Sequence, residues 1–377
     1  MDLGTNHTLR RLVKTGIASA LNWSGTDRLL DGPDLLIRRP VVLCYHRTVE
    51  DFAAGASQSL PSMLTSRAML ERHLDCLGRR FDFVSLDDLG AWLEGKKHFA
   101  RSAAAVTFDD GYADFYHHAF PLLQRKGIPA AVFVPTDLAG TSALQIHDRL
   151  FLLLARAFER WGYRSAVGFV RSYLDRGKPA AYAQRIGFDE WTPPNAVSSL
   201  LGSLPQDEVH RLIETLETEI EIGPEAWNAH RALTWEMIVA MHRAGVTVGS
   251  HTKTHVELTN EKPQTILDEI QGSRSELERR LGTEVTHIAY PDGQFNAAVV
   301  QAAAACGYRF GYTTCRHRDA RHPLLTIPRI LLWENSCLDA RGDFSPAIFK
   351  CLVRGLFPFT DNCLRDHRRT NGNGFDL

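Results

Sequence analysis

The sequence predicts an α/β fold: a β/α barrel or a closely related parallel sheet of about seven strands, interrupted by a mainly helical insertion. Three observations predict it. Short apolar runs alternate with amphipathic stretches of helical period through 39–138 and again through 231–335. Several of those runs stop abruptly at Asp or His, the edge at which parallel sheets place their chemistry. Between 139 and 230 the alternation ceases and only helical patterns remain.

The elements follow in order. Residues 1–38 carry Leu9, Leu12, Val13, Ile17, Ala20 and Leu21 on one side of a helix, with Arg10, Arg11 and Lys14 beside them. This start loosely imitates a signal peptide, but its apolar core is short and no small-x-small cleavage site follows. A packed helix is the favoured reading, and an interfacial membrane helix is the second one, as it is for Phe344 to Phe359. Val41 to Tyr45 form a first buried strand with His46 at its end. Leu70, Leu74, Leu77 and Phe81 recur at helical spacing, and Ser85 with Asp88 marks the next helix start. Ala103 to Phe108 make a short strand that ends at Asp109-Asp110-Gly111, and Pro121 should kink or restart the helix after it. Ala130 to Val134 form another strand. Thr234 caps a helix that Gly245 stops, and Val246 to Ser250 deliver His251. Pro263 opens a helix closed by Gly282, and a strand at 286–290 ends in Pro291-Asp292-Gly293. Asn296 caps an Ala-rich helix, and Tyr308–Thr313 and Leu325–Leu332 are the last two strands. Residues 336–377 hold a C-terminal helix and a tail of disordered composition from Arg365.

A length of 377 residues suits one large α/β domain with insertions, and 44% hydrophobic with 23% charged residues is ordinary soluble composition. The formal net charge of -1 provides no global field toward nucleic acid or anionic membrane. Seven Cys without a C-x-x-C pair read as reduced thiols of a cytoplasmic protein, and no stretch is long and apolar enough to span a bilayer.

Adjacent Asp109 and Asp110 point in different directions, so one can hold a cation while the other moves a proton. An Asp-Asp-Gly turn without chemistry is the bland reading of the pair taken alone. Ser250-His251-Thr252-Lys253-Thr254-His255 carries two His at i and i+4, which on a helical turn lie on one face and can share a metal. Two imidazoles and one carboxylate, with positions left for water and substrate, make a catalytic zinc-type site, although other divalent ions suit it as well.

Thr107-Phe108-Asp109-Asp110-Gly111 together with His251-x-x-x-His255 resembles the first two motifs of the polysaccharide deacetylase family, the NodB-homology carbohydrate esterases. The resemblance covers roughly Val41 to Leu332 apart from the insertion. It implies a distorted β/α barrel, a divalent metal (zinc first) held by Asp110, His251 and His255, and Asp109 as general base. The implied reaction is hydrolysis of an N-acetyl group from an amino sugar. Tyr290-Pro291-Asp292-Gly293 resembles the third motif but lacks its Arg, Ala289 standing there instead, which removes the usual tether of the base. Asp292 stands where the family has Tyr, and its backbone N–H can still serve as an oxyanion donor. Leu325-Thr326-Ile327-Pro328-Arg329 resembles the final motif with Arg329 in place of the acid His. An Arg stabilises anionic charge but does not release a proton at neutral pH. His46 is then the first candidate for the acid.

The leading reading is a metal-dependent sugar N-deacetylase of exopolysaccharide-biosynthesis type. It would act in the cytoplasm or at the inner face of the membrane on an N-acetylated glycan or its precursor. A deformylase, an O-acetyl esterase and an inactive glycan-binding homologue are the alternatives. The basic loop Arg316 to His322 reads first as solvated surface, and His117-His118 as an exposed helix face.

Overall fold

The computed structural model describes residues 14–18, 20, 40–176, 186, 188 and 191–356. The strands in chain order are β1 (Val41–Tyr45), β2 (Arg47–Val49), β3 (Leu64–Ser66), β4 (Phe81–Phe83), β5 (Ser102–Phe108) and β6 (Ala130–Val134). They continue with β7 (Thr247–Ser250), β8 (His287–Ala289), β9 (Phe310–Thr313), β10 (Ile327–Pro328) and β11 (Ile330–Leu331). All pairings between them are parallel, and the main sheet runs β10-β9-β8-β7-β6-β5-β1-β11 with β4 added on β5.

The sheet closes on itself through a single segment. The expected strand Leu325–Leu332 is broken: β10 pairs with β9 at one edge, and β11 pairs with β1 at the other. Arg329 is the residue between them. Its own N–H donates to Thr313 O at 2.9 Å, and Leu332 N–H donates to Cys44 O at 2.9 Å. The segment therefore switches partner at Arg329 and completes a distorted β/α barrel. Pro328, which has no N–H to give, is tolerated because the ladder ends there.

Alternation along the strands sorts side chains between the lumen and the outer layer. On β5, Ala103 and Ala105 belong to a small inner cluster with Val42, Phe133, Ala289, Phe310 and Tyr312, whereas Ala104, Val106 and Phe108 join the larger core under the helices. Continuing the alternation puts Thr107 and then Asp109 on the lumen side.

The barrel's helices are α1 (Arg67–Gly78), α2 (Leu86–Leu93) and α3 (Phe120–Lys126). Their starts follow the sequence signals. Ser66 caps α1 by accepting from Met69 N–H, and Ser85 caps α2 by accepting from Asp88 N–H. Pro121 lies in the first turn of α3, directly after a π-helical turn over Phe115–Ala119, so the helix restarts there. Between β6 and β7 lie α4 (Ile146–Trp161), α5 (Tyr163–Asp175), α6 (Pro193–Leu201), α7 (Gln206–Glu217), α8 (Pro224–Ala229) and α9 (Trp235–Arg243). Helices α4 to α8 bury Leu150, Leu153, Val170, Leu200, Leu212 and Ile213 in an apolar cluster of their own. Helix α9 starts at Thr234, which accepts from Met237 N–H. Then come α10 (Pro263–Leu281), α11 (Ala297–Ala305), capped by Asn296, and α12 (Pro346–Val353).

Helix α12 turns Ile348 and Phe349 into the main core, with Phe349 stacked on His73 of α1 at 5.0 Å between centroids. In the described part of the stretch Phe344 to Phe359, Ile348, Phe349, Cys351 and Val353 are buried in the main core. The N-terminal helix reading lies mostly outside the described residues. Within them, 14–18 are helical and Ala18 is buried in the core. The tail from Arg365 lies wholly outside. Among the described residues no helix is long and apolar enough to cross a membrane, and none of the six described cysteines is disulfide-bonded.

Candidate metal and catalytic centre

The site is built where β1, β5, β7 and the β10–β11 break end. Asp109 N–H continues the β1–β5 ladder by donating to Tyr45 O at 2.9 Å. The chain then reverses, with Asp110 at φ 70° and Gly111 at φ 62°. Asp tolerates this left-handed conformation and Gly adopts it freely. The turn sends the two neighbouring carboxylates into different company, each almost wholly buried (3% and 1% exposed).

Asp110 faces histidines. Its Oδ1 lies 3.2 Å from His251 Nε2 and 3.0 Å from His255 Nε2. One donor atom from each of the three residues lies within 4.8 Å of the others. His251 Nδ1 lies 2.8 Å from the Ala289 carbonyl, which can only accept, so Nδ1 carries the proton and Nε2 presents its lone pair to the cluster. Neither Asp110 oxygen has a hydrogen-bond donor. Burial alone would raise the Asp110 carboxyl, but His255, His46 and His251 outweigh it and hold it well below the usual range. The same electrostatics raise His255 to about 9, Asp110 overcoming the burial that would lower it. A buried anion with unfilled lone pairs facing imidazole nitrogens is the donor set a divalent cation requires, so the residues fit a metal.

The expectation that His251 and His255 share a helical turn is corrected. They lie on a loop with Thr252 at φ 64° and His255 at φ 59°. Side chains supply the caps that a helix would otherwise provide. Ser250 Oγ accepts from Thr252 N–H, Thr252 Oγ1 accepts from His255 N–H, and Glu269 of α10 accepts from Lys253 and Thr254 N–H. The two imidazoles still meet, with centroids 4.8 Å apart.

Asp109 faces Arg329. The guanidinium donates from Nη1 to Oδ1 at 2.7 Å and from Nη2 to Oδ2 at 2.6 Å, while Nη1 also reaches Thr107 Oγ1 at 3.1 Å. Cys44 Sγ adds a contact to Oδ2 at 3.4 Å. Burial would raise the Asp109 carboxyl, but Arg329 and His251 keep it below its usual value. The expected loss of the base's tether is therefore corrected: Ala289 supplies none, and the β10–β11 break brings Arg329 to do it. His46 stands beside this pair. Its donor atom shares a 4.8 Å cluster with those of Cys44 and Asp109, and its buried Nδ1 has no hydrogen-bond partner. Asp292 sits exposed in the turn Pro291–Gly293 at φ 54°, with its charge felt at His255 and His147.

Four participants escaped the sequence reading. Cys44 belongs to the first strand and gave no motif. Tyr112, His147 and Asp148 form a buried cluster beside the metal ligands. Tyr112 O–H donates to Asp148 Oδ2 at 2.5 Å, His147 Nε2 lies 2.7 Å from Tyr112 Oη, and the His147 ring meets His255 at 5.0 Å. The only sequence signal was the His147-Asp148 pair just before the apolar run Leu150 to Ala155, in what is the first turn of α4.

A family profile described as polysaccharide deacetylase matches residues 96–156 and 188–311, a span that includes Asp109, Asp110, His251 and His255. The chain belongs to the polysaccharide deacetylase family. A curated relative of this deacetylase-family chain is YxkH of Bacillus subtilis (strain 168), itself named a polysaccharide deacetylase by assignment. It is 33% identical over 93 residues, which are 25% of this chain and 33% of that protein, so the match spans about a third of the relative's length. Two solved structures share the fold. Streptococcus pyogenes deacetylase PplD, in complex with acetate, is 18% identical with a TM-score of 0.50, covering 80% of this chain and 95% of that one. IcaB from Ammonifex degensii is 18% identical with a TM-score of 0.50, covering 84% and 97%.

Proposed function

We propose that this chain is a metal-dependent hydrolase that removes N-acetyl groups from an amino sugar in a poly- or oligosaccharide or its precursor. The observation that carries the reading is the Asp110–His251–His255 cluster set beside an Asp109 whose two oxygens are held by Arg329. Asp110, His251 and His255 would hold the ion, zinc first. A divalent metal there polarises the scissile carbonyl and lowers the pKa of a nearby water.

The protein's own groups do the rest. Asp109 is ionised and orientated by Arg329, so it accepts the proton of the attacking water. Arg329 cannot pass a proton on, and its positive charge keeps Asp109 available as a base rather than protonated. His46, beside Asp109 with Nδ1 unpartnered, gives the proton that the departing amine needs. The backbone N–H of Asp292 would be the oxyanion donor to the carbonyl oxygen as negative charge builds there. The buried thiols Cys44 and Cys337 favour a reducing, cytoplasmic place, with exopolysaccharide biosynthesis as its setting.

The test is elemental analysis of purified protein beside His251→Ala and Asp110→Ala, followed by acetate release from N-acetylated glycans. About one divalent ion per chain, lost in both variants, with acetate released only by the parent, is the expected result. A parent that neither contains nor takes up zinc refutes it, and formate or an ester-derived alcohol as product redirects it to the acyl group concerned.

A further inference from the structure

The helical insertion closes on the metal cluster from both of its ends. At one end Gln145 Nε2 donates to Asp110 O at 2.5 Å, and His147 and Asp148 follow immediately. At the other, Ala113 N–H donates to Arg231 O at 2.8 Å and Leu233 N–H to Gly111 O at 2.7 Å, while His230 Nε2 lies 3.5 Å from Asp148 Oδ1. Arg47 of β2 completes the clasp. It binds Asp114 at 2.8 Å, donates to Ala229 O, and lies over the Tyr112 ring at 4.8 Å. The turn that carries Asp110 is therefore gripped by residues at both ends of the insertion.

The hydrogen positions inside this grip follow from the donor inventory. Asp148 can only accept, so Tyr112 spends its single proton on Asp148. The Tyr112 oxygen must then accept from His147, which places the proton on His147 Nε2 and locks the ring. That locked ring lies 4.0 Å from the Asp110 oxygen remote from His251 and His255, and edge-on against His255 itself. His147 thus touches two of the three proposed ligands without being one of them.

On the metal reading above, we infer that His147 is a positioning residue of the metal centre, held in place by Tyr112 and Asp148. Metal affinity and the seating of the insertion are then two faces of one equilibrium. Thermodynamic reciprocity requires that whatever loosens the insertion at His147 weakens the ion, and that the ion steadies the insertion. Outer partners of metal ligands typically carry 10–100-fold in affinity.

The test uses the full chain, with Zn²⁺ affinity measured by chelator competition and the visible spectrum recorded on the Co²⁺-loaded protein. His147→Ala is expected to bind Zn²⁺ roughly 10–100-fold more weakly and to shift the Co²⁺ bands. His147→Gln keeps an N–H for the Tyr112 oxygen and is expected to recover part of the loss. Zn²⁺ should slow protease cleavage within 139–230 in the parent and do so less in His147→Ala. A His147→Ala affinity and Co²⁺ spectrum equal to the parent's overturn the inference while leaving the proposed function standing. A parent that binds no divalent ion overturns both. If His147→Ala has no cooperative melt, His147→Gln and Tyr112→Phe decide, and parental affinity in both overturns the inference.

Discussion

Replacing Arg329 by Met removes a guanidinium of similar length and reach while leaving Asp109 in place. In the parent both partners are buried and joined by two charge-assisted hydrogen bonds, at 2.6 and 2.7 Å. Water cannot take over, because Asp109 is 3% exposed and Arg329 4%. The variant must therefore either keep an uncompensated buried carboxylate or protonate it. Breaking one side of such a pair costs roughly 3–5 kcal/mol. The sign of the pH dependence follows from Asp109, whose folded carboxyl lies below its unfolded value of 3.8. Its stabilisation is present above that value and lost as pH falls through the folded pKa. Without Arg329 the carboxyl rises, so the penalty of the variant is largest near pH 7 and shrinks toward pH 4. The assay is urea denaturation of the parent, Arg329→Met, Asp109→Asn and the double variant at both pH values. A coupling energy of roughly 1.5–3 kcal/mol at pH 7 is expected. Single losses below about 1 kcal/mol that add without coupling would refute the argument that Arg329 acts through Asp109.

Two further expectations concern stability. His73 of α1 is fully buried between Tyr45, Phe344 and Phe349, and burial lowers it to about 3. It stays neutral when folded but charges when unfolded, so it contributes stability above pH 6.5 that is lost as pH falls toward 3, by about 1.4 kcal/mol per unit. The pH-stability curve of His73→Phe should be flatter over that window, and parallel curves would exclude the effect. A Cβ on Gly249 would stand 2.5 Å from the Phe133 ring and 3.0 Å from His287 O. Gly249→Ala should therefore cost about 1–3 kcal/mol and disturb His251 two residues on, visible as lower zinc content; a Tm equal to the parent's would contradict it.

Much of the barrel was legible in the sequence because its signals are local. Apolar runs of strand length, amphipathic stretches and the caps Ser85, Thr234 and Asn296 act within a few residues, and each corresponds to an element start. The residue types at the strand ends, two Asp and two His, were equally visible. What spacing alone could not specify was how the chain turns after those ends. The His251–His255 interval fits a helical turn, yet the loop follows other hydrogen bonds, because Ser250, Thr252 and Glu269 supply the caps and Glu269 comes from a different helix.

The remaining features depend on residues far apart in the chain. Local pattern made Leu325–Leu332 one strand and left Arg329 an acid that cannot work. Closure of the barrel decided otherwise: the segment must pair with β9 on one side and β1 on the other, and the partner switch aims Arg329 into the lumen at Asp109, 220 residues away. The His147–Tyr112–Asp148 cluster has the same origin, since no periodicity relates an insertion helix to a turn 35 residues earlier. The sequence by itself determined the fold class, the order of most strands and helices and the inventory of reactive groups. Only the tertiary structure decided which of those groups share a low-dielectric space, and charge pairing there depends on ångströms that one-dimensional spacing does not encode.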